Sequence, residues 1–357
     1  MKRLFAIMAV LCLMLCACGT QEAAPTTTVP TTTAAPTTEP TTAPTTEPTT
    51  APTTEPPVLY RHPLTGEPLD APWTKRPVAV VTNNSNKAMP QMGTSQADVF
   101  IELLSEGGTT RNLAIYSDVA QVSKVGSIRS ARTYLQSLSK SFGAVLVHSG
   151  DSIHANKEFK TGRFDHIDGM FYNIFYRDKA RLNKGYSLEH TLVVKGEKLA
   201  ALAAEKFTME TDRQDYGFIF DENMQMTGES AQKLKISFFV KSKTTTFTYD
   251  AEKGAYGTYQ HGQNYVDGNT GERVYWDNVL VLYAQMRTSA SSHVFYTLEG
   301  SNNGYYMCDG KFQPIVWNRA TEDDSFTYSY GDGTPVTMKP GTTYIAIIHK
   351  DSLAEFE

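Results

Sequence analysis

The chain has 357 residues, of which 40% are hydrophobic, 11% aromatic and 20% charged, with a formal net charge of −5 at pH 7. Its length allows two domains of about 100–200 residues each. The composition excludes a wholly disordered chain, a collagen-like chain and a polytopic membrane protein, and no stretch carries the broad positive excess of a nucleic-acid binder.

Met1–Lys2–Arg3 is a short positive region, followed by an uncharged apolar run over 4–15. That run is too short to span a bilayer as a mature helix and suits the core of a secretory signal. It ends in Leu15–Cys16–Ala17–Cys18, the form of a bacterial lipobox, so residues 1–17 are expected to be removed as a lipoprotein signal peptide and Cys18 to carry the lipid. A diacylated cysteine supplies the two chains needed for stable anchoring, which makes the membrane an expected partner through Cys18 and places the protein outside the cytoplasm. Cys12 and Cys16 leave with the signal and only Cys308 remains beside the lipidated residue. An internal disulfide is therefore not expected.

Residues 18–57 read as a Thr/Pro/Glu-rich stalk in which the octapeptide APTTEPTT starts at Ala35, repeats at Ala43 and begins again at Ala51. With no apolar period it cannot bury a core, so disorder with polyproline II character is expected. At ~3.1 Å per residue its fully extended reach is on the order of 120 Å.

An α/β or α+β domain is expected over 58–228. Runs rich in β-branched residues at 77–82, 99–104, 112–117 and 144–148 read as buried strands, with Gly107–Gly108 as a turn. Ala131, Leu135, Leu138 and Phe142 share one helical face, predicting a helix that starts near Ser130. Leu199, Leu202, Ala203 and Phe207 predict another, starting near Gly196. Over 229–357 the helical period vanishes. Strand candidates at 236–241, 245–249, 255–261, 263–266, 279–286, 294–298, 304–307 and 343–348, separated by Asp/Gly turns, predict a mostly β domain.

The segment GSIRSAR at 126–132 carries the most chemical information. Two arginines beside the first turn of a helix oppose its macrodipole, where free N–H groups already attract anions. Arg129 and Arg132, with Arg111 and the strand-end His148, are therefore candidate anion-binding residues. Asp98, Glu102 and Glu106 are the supporting acids, and are equally the acids that would pair with these arginines internally. Asn83, Asp151 and His190 are secondary candidates; Asp151 or Ser152 would serve as a helix N-cap. A metal reading would gather His148, Asp151 and His154 with His166, Asp168 or His190, but the spacing matches no zinc or di-metal signature, so no metal is expected. Walker A, dinucleotide-binding and zinc-cysteine motifs are absent from the sequence, and no cofactor is expected.

The motifs HPLTGEP at 62–68, RPVAVVTNN at 76–84, PQMGTSQADVFIELLSEGGTTR at 90–111, GSIRSAR at 126–132, VHSGDS at 147–152 and EHT at 189–191 resemble the YerB-like bacterial lipoproteins, whose core is domain of unknown function 3048. The segments DAEKGAYGTYQHGQNYVDGNTGERV at 250–274 and GKFQPIVWNR at 310–319 resemble that family's C-terminal domain. The resemblance implies a membrane-anchored envelope protein of two domains and no assigned activity. Asn83 stands where the family often has an aspartate, and Asp151 where it often has a glycine. An acid at the first position is thus unavailable here as a general base.

Three functions fit these residues: a non-catalytic envelope lipoprotein that binds an anionic wall polymer or partner through the arginines, an enzyme of wall-polymer metabolism (phosphotransferase-like or hydrolytic) using the same cluster, and a scaffold that docks another envelope protein. All three share the lipid address. Replacing the lipidated cysteine, Cys18→Ala, is expected to abolish incorporation of a clickable fatty acid; undiminished label on the variant would refute the lipobox.

Overall fold

The computed structural model describes residues 60–239 and 243–357; the signal, lipobox and stalk assignments lie outside them, as does the end of the strand expected over 236–241. The apolar runs of the first half form β1 (Val78–Asn83), β2 (Val99–Leu104), β3 (Thr110–Tyr116), β4 (Val145–His148) and β5 (His166–Asp168). Every residue of β1 and β2 is buried, as a strand covered on both faces requires. Helices α1 (Thr133–Ser141) and α2 (Ile153–Phe159) flank β4, and α3 (Gly196–Lys206) follows a short strand, β6 (Leu192–Val194).

The second half supplies β7 (Lys233–Phe239), β8 (Lys243–Asp250), β9 (Ala255–Gln260), β10 (Asn278–Thr288), β11 (Gly300–Cys308), β12 (Lys311–Arg319), β13 (Thr343–His349) and β14 (Leu353–Phe356). These divide between two sheets. One is a 12-stranded sheet whose main path runs β12–β11–β10–β13–β2–β3–β1–β4–β5; in the other, β9, β8, β7 and β14 lie side by side. Thus β13, nearly the last strand in sequence, lies parallel between β10 and β2, in register from Thr343↔Val99 to Ile347↔Leu103. The strands of 58–228 and 229–357 therefore join within one sheet, and the described residues belong to one compact unit.

Because side chains alternate along a strand, the large sheet has two apolar faces. Ala79, Val81, Ile101, Leu113, Ile115 and Leu146 pack with Leu135 and Leu138 of α1. Val80, Phe100, Ala114, Val147 and Tyr344 pack on the opposite face with Leu234, Phe247 and Tyr256 of the second sheet and with Leu199 and Leu202 of α3. Each such aliphatic or aromatic side chain contributes about 1.5–3 kcal/mol on full burial.

One carboxylate interrupts the second core. Glu102, in the middle of β2, is fully buried and faces β8 and β9. Its Oε1 accepts hydrogen bonds from Asn84 Nδ2 at 2.6 Å and Thr110 Oγ1 at 2.5 Å. Oε2 accepts from Thr245 Oγ1 at 2.7 Å, Gln260 Nε2 at 3.2 Å and the Tyr344 hydroxyl. Lys243 Nζ lies 3.2 Å from Oε1 and donates to Gln260 Oε1 at 2.6 Å. Burial pushes the Glu102 carboxyl upward, yet Lys243 and the converging donors outweigh it and hold the group below its ordinary range. Both oxygens accept only, as an ionised carboxylate must.

Removing one partner from such a pair leaves a buried charge uncompensated. The Lys243→Met variant is expected to lose ~3–5 kcal/mol in urea unfolding, and Glu102→Gln/Lys243→Met to recover most of that loss. Equal instability of the single and double variants would show that the pair contributes only by packing.

Candidate functional site

The arginine segment is positioned by main-chain hydrogen bonds at the carboxyl ends of β1 and β4. Asn83 N donates to Ser127 O at 3.0 Å, and Arg129 N to Val81 O at 2.9 Å. Ile128 N donates to Leu192 O at 2.9 Å, Ser149 N to Arg129 O at 3.0 Å and Ala131 N to Gly150 O at 2.9 Å. The segment therefore runs as an extended strap between the strand ends. Helix α1 begins at Thr133 rather than near Ser130, and Arg132 occupies its cap in an extended conformation (φ −134°, ψ 158°). The macrodipole falls off within one turn, so its penalty applies to Arg132 and not to Arg129.

The strap brings three guanidinium groups together. Arg132 Nε donates to both carboxylate oxygens of Glu106, at 2.8 and 3.0 Å. Arg129 Nη1 donates to Glu189 Oε2 at 2.9 Å and to Glu189 O at 3.2 Å. Arg111 Nη1 donates to Ser130 O at 2.9 Å, and within the described residues its guanidinium has no carboxylate partner. Burial, then repulsion from Arg132, outweighs the opposing pull of Tyr134 and Glu106 and, with a weaker push from Arg129, brings the Arg111 guanidinium down to about 10. Glu106 moves the other way: burial opposes its ionisation, but the hydrogen bonds and charge of Arg132 prevail and hold it at about 2. Three cations therefore share two carboxylates, and the half-buried Arg111 is the one without an ion pair of its own.

Of the supporting acids, the structure brings only Glu106 to the arginines. Glu102 faces the opposite side of the sheet, toward Lys243, because strand alternation separates it from Arg111. Asp98 accepts a hydrogen bond from Ser117 N at 2.6 Å, and its nearby titratable partner is His62. His148 does not join the cluster either. Its ring lies between Gly150 O at 2.8 Å and His166 Nδ1 at 2.9 Å, stacked on Phe159. Asn83 Nδ2 donates to His190 Nδ1 at 2.9 Å, and His190 Nε2 lies 3.5 Å from Glu189 Oε1, so this pair braces the rim of the cluster. Burial lowers the His190 imidazole; Glu189 opposes that shift and the positive charge of Arg129 adds to it. Asp151 forms a bridge to Ala131 and accepts from Asn156 Nδ2 at 3.3 Å, while Ser152 is the N-cap of α2. Among the described residues, no group of three or more His, Cys, Asp or Glu is arranged to hold a metal ion.

Sequence reasoning missed Glu189 as the partner of Arg129 and Lys243 as the partner of Glu102. The sole signal for the second was a charge inside the apolar run VFIELL, which demands a partner without saying where it comes from.

A β-rich protein of two packed sheets, with a basic strap across the strand ends, is the class these features define. Two family models match it: "Protein of unknown function (DUF3048) N-terminal domain" over residues 64–210 and the corresponding C-terminal domain over 234–345. The chain belongs to this family. It is 29% identical over 298 residues to "Putative lipoprotein YerB" of Bacillus subtilis (strain 168), covering 80% of this chain and 85% of that protein. The crystal structure of YerB from Bacillus subtilis superposes with a TM-score of 0.72 at 27% identity, covering 83% of this chain and 99% of the other.

The Arg132–Glu106 pair has a defined pH signature. A carboxyl lowered from 4.5 to about 2 stabilises the fold fully above 4.5 and loses that contribution as the pH falls toward 2. Arg132→Ala is expected to cost about 1–3 kcal/mol near neutrality. Its deficit relative to wild type should shrink across that acid window in urea unfolding. A deficit constant with pH would assign the loss to packing alone.

Proposed function

We propose that this family member is a lipid-anchored extracytoplasmic protein whose strap arginines bind an anionic component of the cell envelope. The observation that supports this reading is Arg111. A half-buried guanidinium with no ion pair of its own, its nearest carboxylate already engaged by Arg132, is costly unless an anion completes it. Guanidinium forks recognise phosphate and carboxylate oxygens in a bidentate way that lysine reproduces poorly. The binding route runs past Glu189, whose side chain is 56% exposed and which an incoming anion displaces from Arg129. Arg132, paired with Glu106, fixes the strap and contributes charge. Binding is favoured over catalysis because Asn83 presents an amide and the Nδ1 of His190 is occupied by it, so neither stands as a free base beside the guanidinium groups. Among the described residues no helix is long and apolar enough to cross a membrane, and in this reading the anchor is the lipid on Cys18.

Thermal melts with and without pyrophosphate test the site. Wild type is expected to melt higher with the anion. Arg111→Met should lose that increment while its ligand-free melting temperature stays level or rises, since an uncompensated charge has been removed. Glu189→Gln frees Arg129 and is expected to enlarge the increment. No anion effect on wild type, together with a large ligand-free loss in Arg111→Met, would end the proposal.

A further inference from the structure

A second polar site lies beyond the arginine strap, where β4 and β5 end. A cavity of about 520 Å³ opens there, with Asp151, Asn156, His166, Asp168 and Phe171 among its lining residues. Its chemistry follows from the hydrogen-bond directions of two histidines. Gly150 O can only accept, so the 2.8 Å contact puts a proton on His148 Nδ1. His148 is fully buried, and burial lowers its imidazole, which is therefore neutral with a lone pair on Nε2. His166 Nδ1, 2.9 Å from that lone pair, must then be the donor. The His166 ring is neutral too, lowered by burial and by His148, and so its Nε2 carries a lone pair. That atom makes no hydrogen bond within the described residues.

The other polar groups of the cavity are mixed: Asn156 and Lys160 also line it and bring donors, while the carboxylates of Asp168 and Asp151 accept. Asp168 Oδ1 takes the N–H groups of Gly150 and Met170, both at 3.0 Å, leaving Oδ2 without a hydrogen bond in the described residues. One oxygen of Asp151 takes only the 3.3 Å contact from Asn156. The apolar side is open to solvent: Met170 is 68% and Phe171 79% exposed on the loop following β5. Gly150 holds this wall close, because at φ +67° a Cβ there would come within 3.3 Å of Met170 Sδ.

A ligand that fits offers edge hydroxyls that donate to these acceptors and accept from Asn156 and Lys160, and an apolar C–H face, which describes a sugar ring. We propose that this cavity binds a neutral carbohydrate, its hydroxyls donating to His166 Nε2, Asp151 and Asp168 while Phe171 and Met170 cover the ring face. The site uses none of the strap arginines and stands whether or not they bind an anion.

Two measurements on the full chain test it. Long-range 1H–15N spectra of the imidazoles are expected to show both His148 and His166 as Nδ1–H tautomers at neutral pH; an Nε2–H tautomer on His166 would remove the acceptor and overturn the proposal. Saturation-transfer NMR with millimolar chitotetraose and maltotetraose is expected to detect binding of at least one. Phe171→Ala and Asp151→Ala should each weaken that binding on the order of ten-fold with the fold retained, since Phe171 is exposed and Asp151 lies at the surface of the cavity. Transfer that persists unchanged in both variants, no transfer with either oligosaccharide, or binding of 1,4-diaminobutane in place of sugar would overturn it.

Discussion

A carboxylate sealed inside an apolar core must find its compensation there, and Glu102 finds it in residues that are far apart in sequence. Asn84 and Thr110 come from the ends of neighbouring strands, Lys243, Thr245 and Gln260 from the second sheet, and Tyr344 from β13. Each donor is in place only when its own strand is in register. A slip of one residue in β8 would turn Lys243 and Thr245 away from Glu102 and leave the charge unpaired. The network therefore couples strand register to sheet packing, a specificity that apolar contacts alone supply poorly. It also explains how two chain segments of different element content share one interior: β13 threads parallel between β10 and β2, and its tyrosine closes the carboxylate's shell.

The same sheet treats charge differently on its other face. There Arg111 sits at the end of β3, with the strap of 127–132 crossing above it. Glu102 is surrounded by partners and is structural by that fact. Arg111 has a carbonyl, two neighbouring cations and only the shared attraction of Glu106, which is already engaged by Arg132. Strand alternation separates these two polar sites, which lets the fold be held on one face while the other stays incompletely neutralised.

The carboxyl ends of β1, β4 and β5 lie together because these strands are parallel in sequence along the sheet edge. This is where open sheets with helices on a face place ligands. The strap arginines gather beside β1, and the cavity holding His166, Asp151 and Asp168 lies beside β4 and β5. Both sit toward the end of the sheet path farthest from the strands contributed by residues 278–319.

The runs at 77–82, 99–104 and 144–148 were legible as strands because full burial on both faces leaves an almost continuous β-branched apolar record in the sequence. The helical faces of Leu135–Leu138 and Leu199–Leu202 were legible through their period, and GSIRSAR marked the basic strap because clustered arginines beside a helix start are locally unfavourable. Pairing left no such record. Nothing local in EHT assigns Glu189 to Arg129, nothing in VFIELL assigns Glu102 to Lys243, and nothing in VHSGDS points His148 at His166 rather than at the arginines. The sequence by itself determined which segments are strands, which are helices and where charge is concentrated, since those follow from local propensity and period. The tertiary structure alone decided which acid meets which base and which cation is left over, because alternation and register set the face of every side chain only after strands distant in sequence have paired.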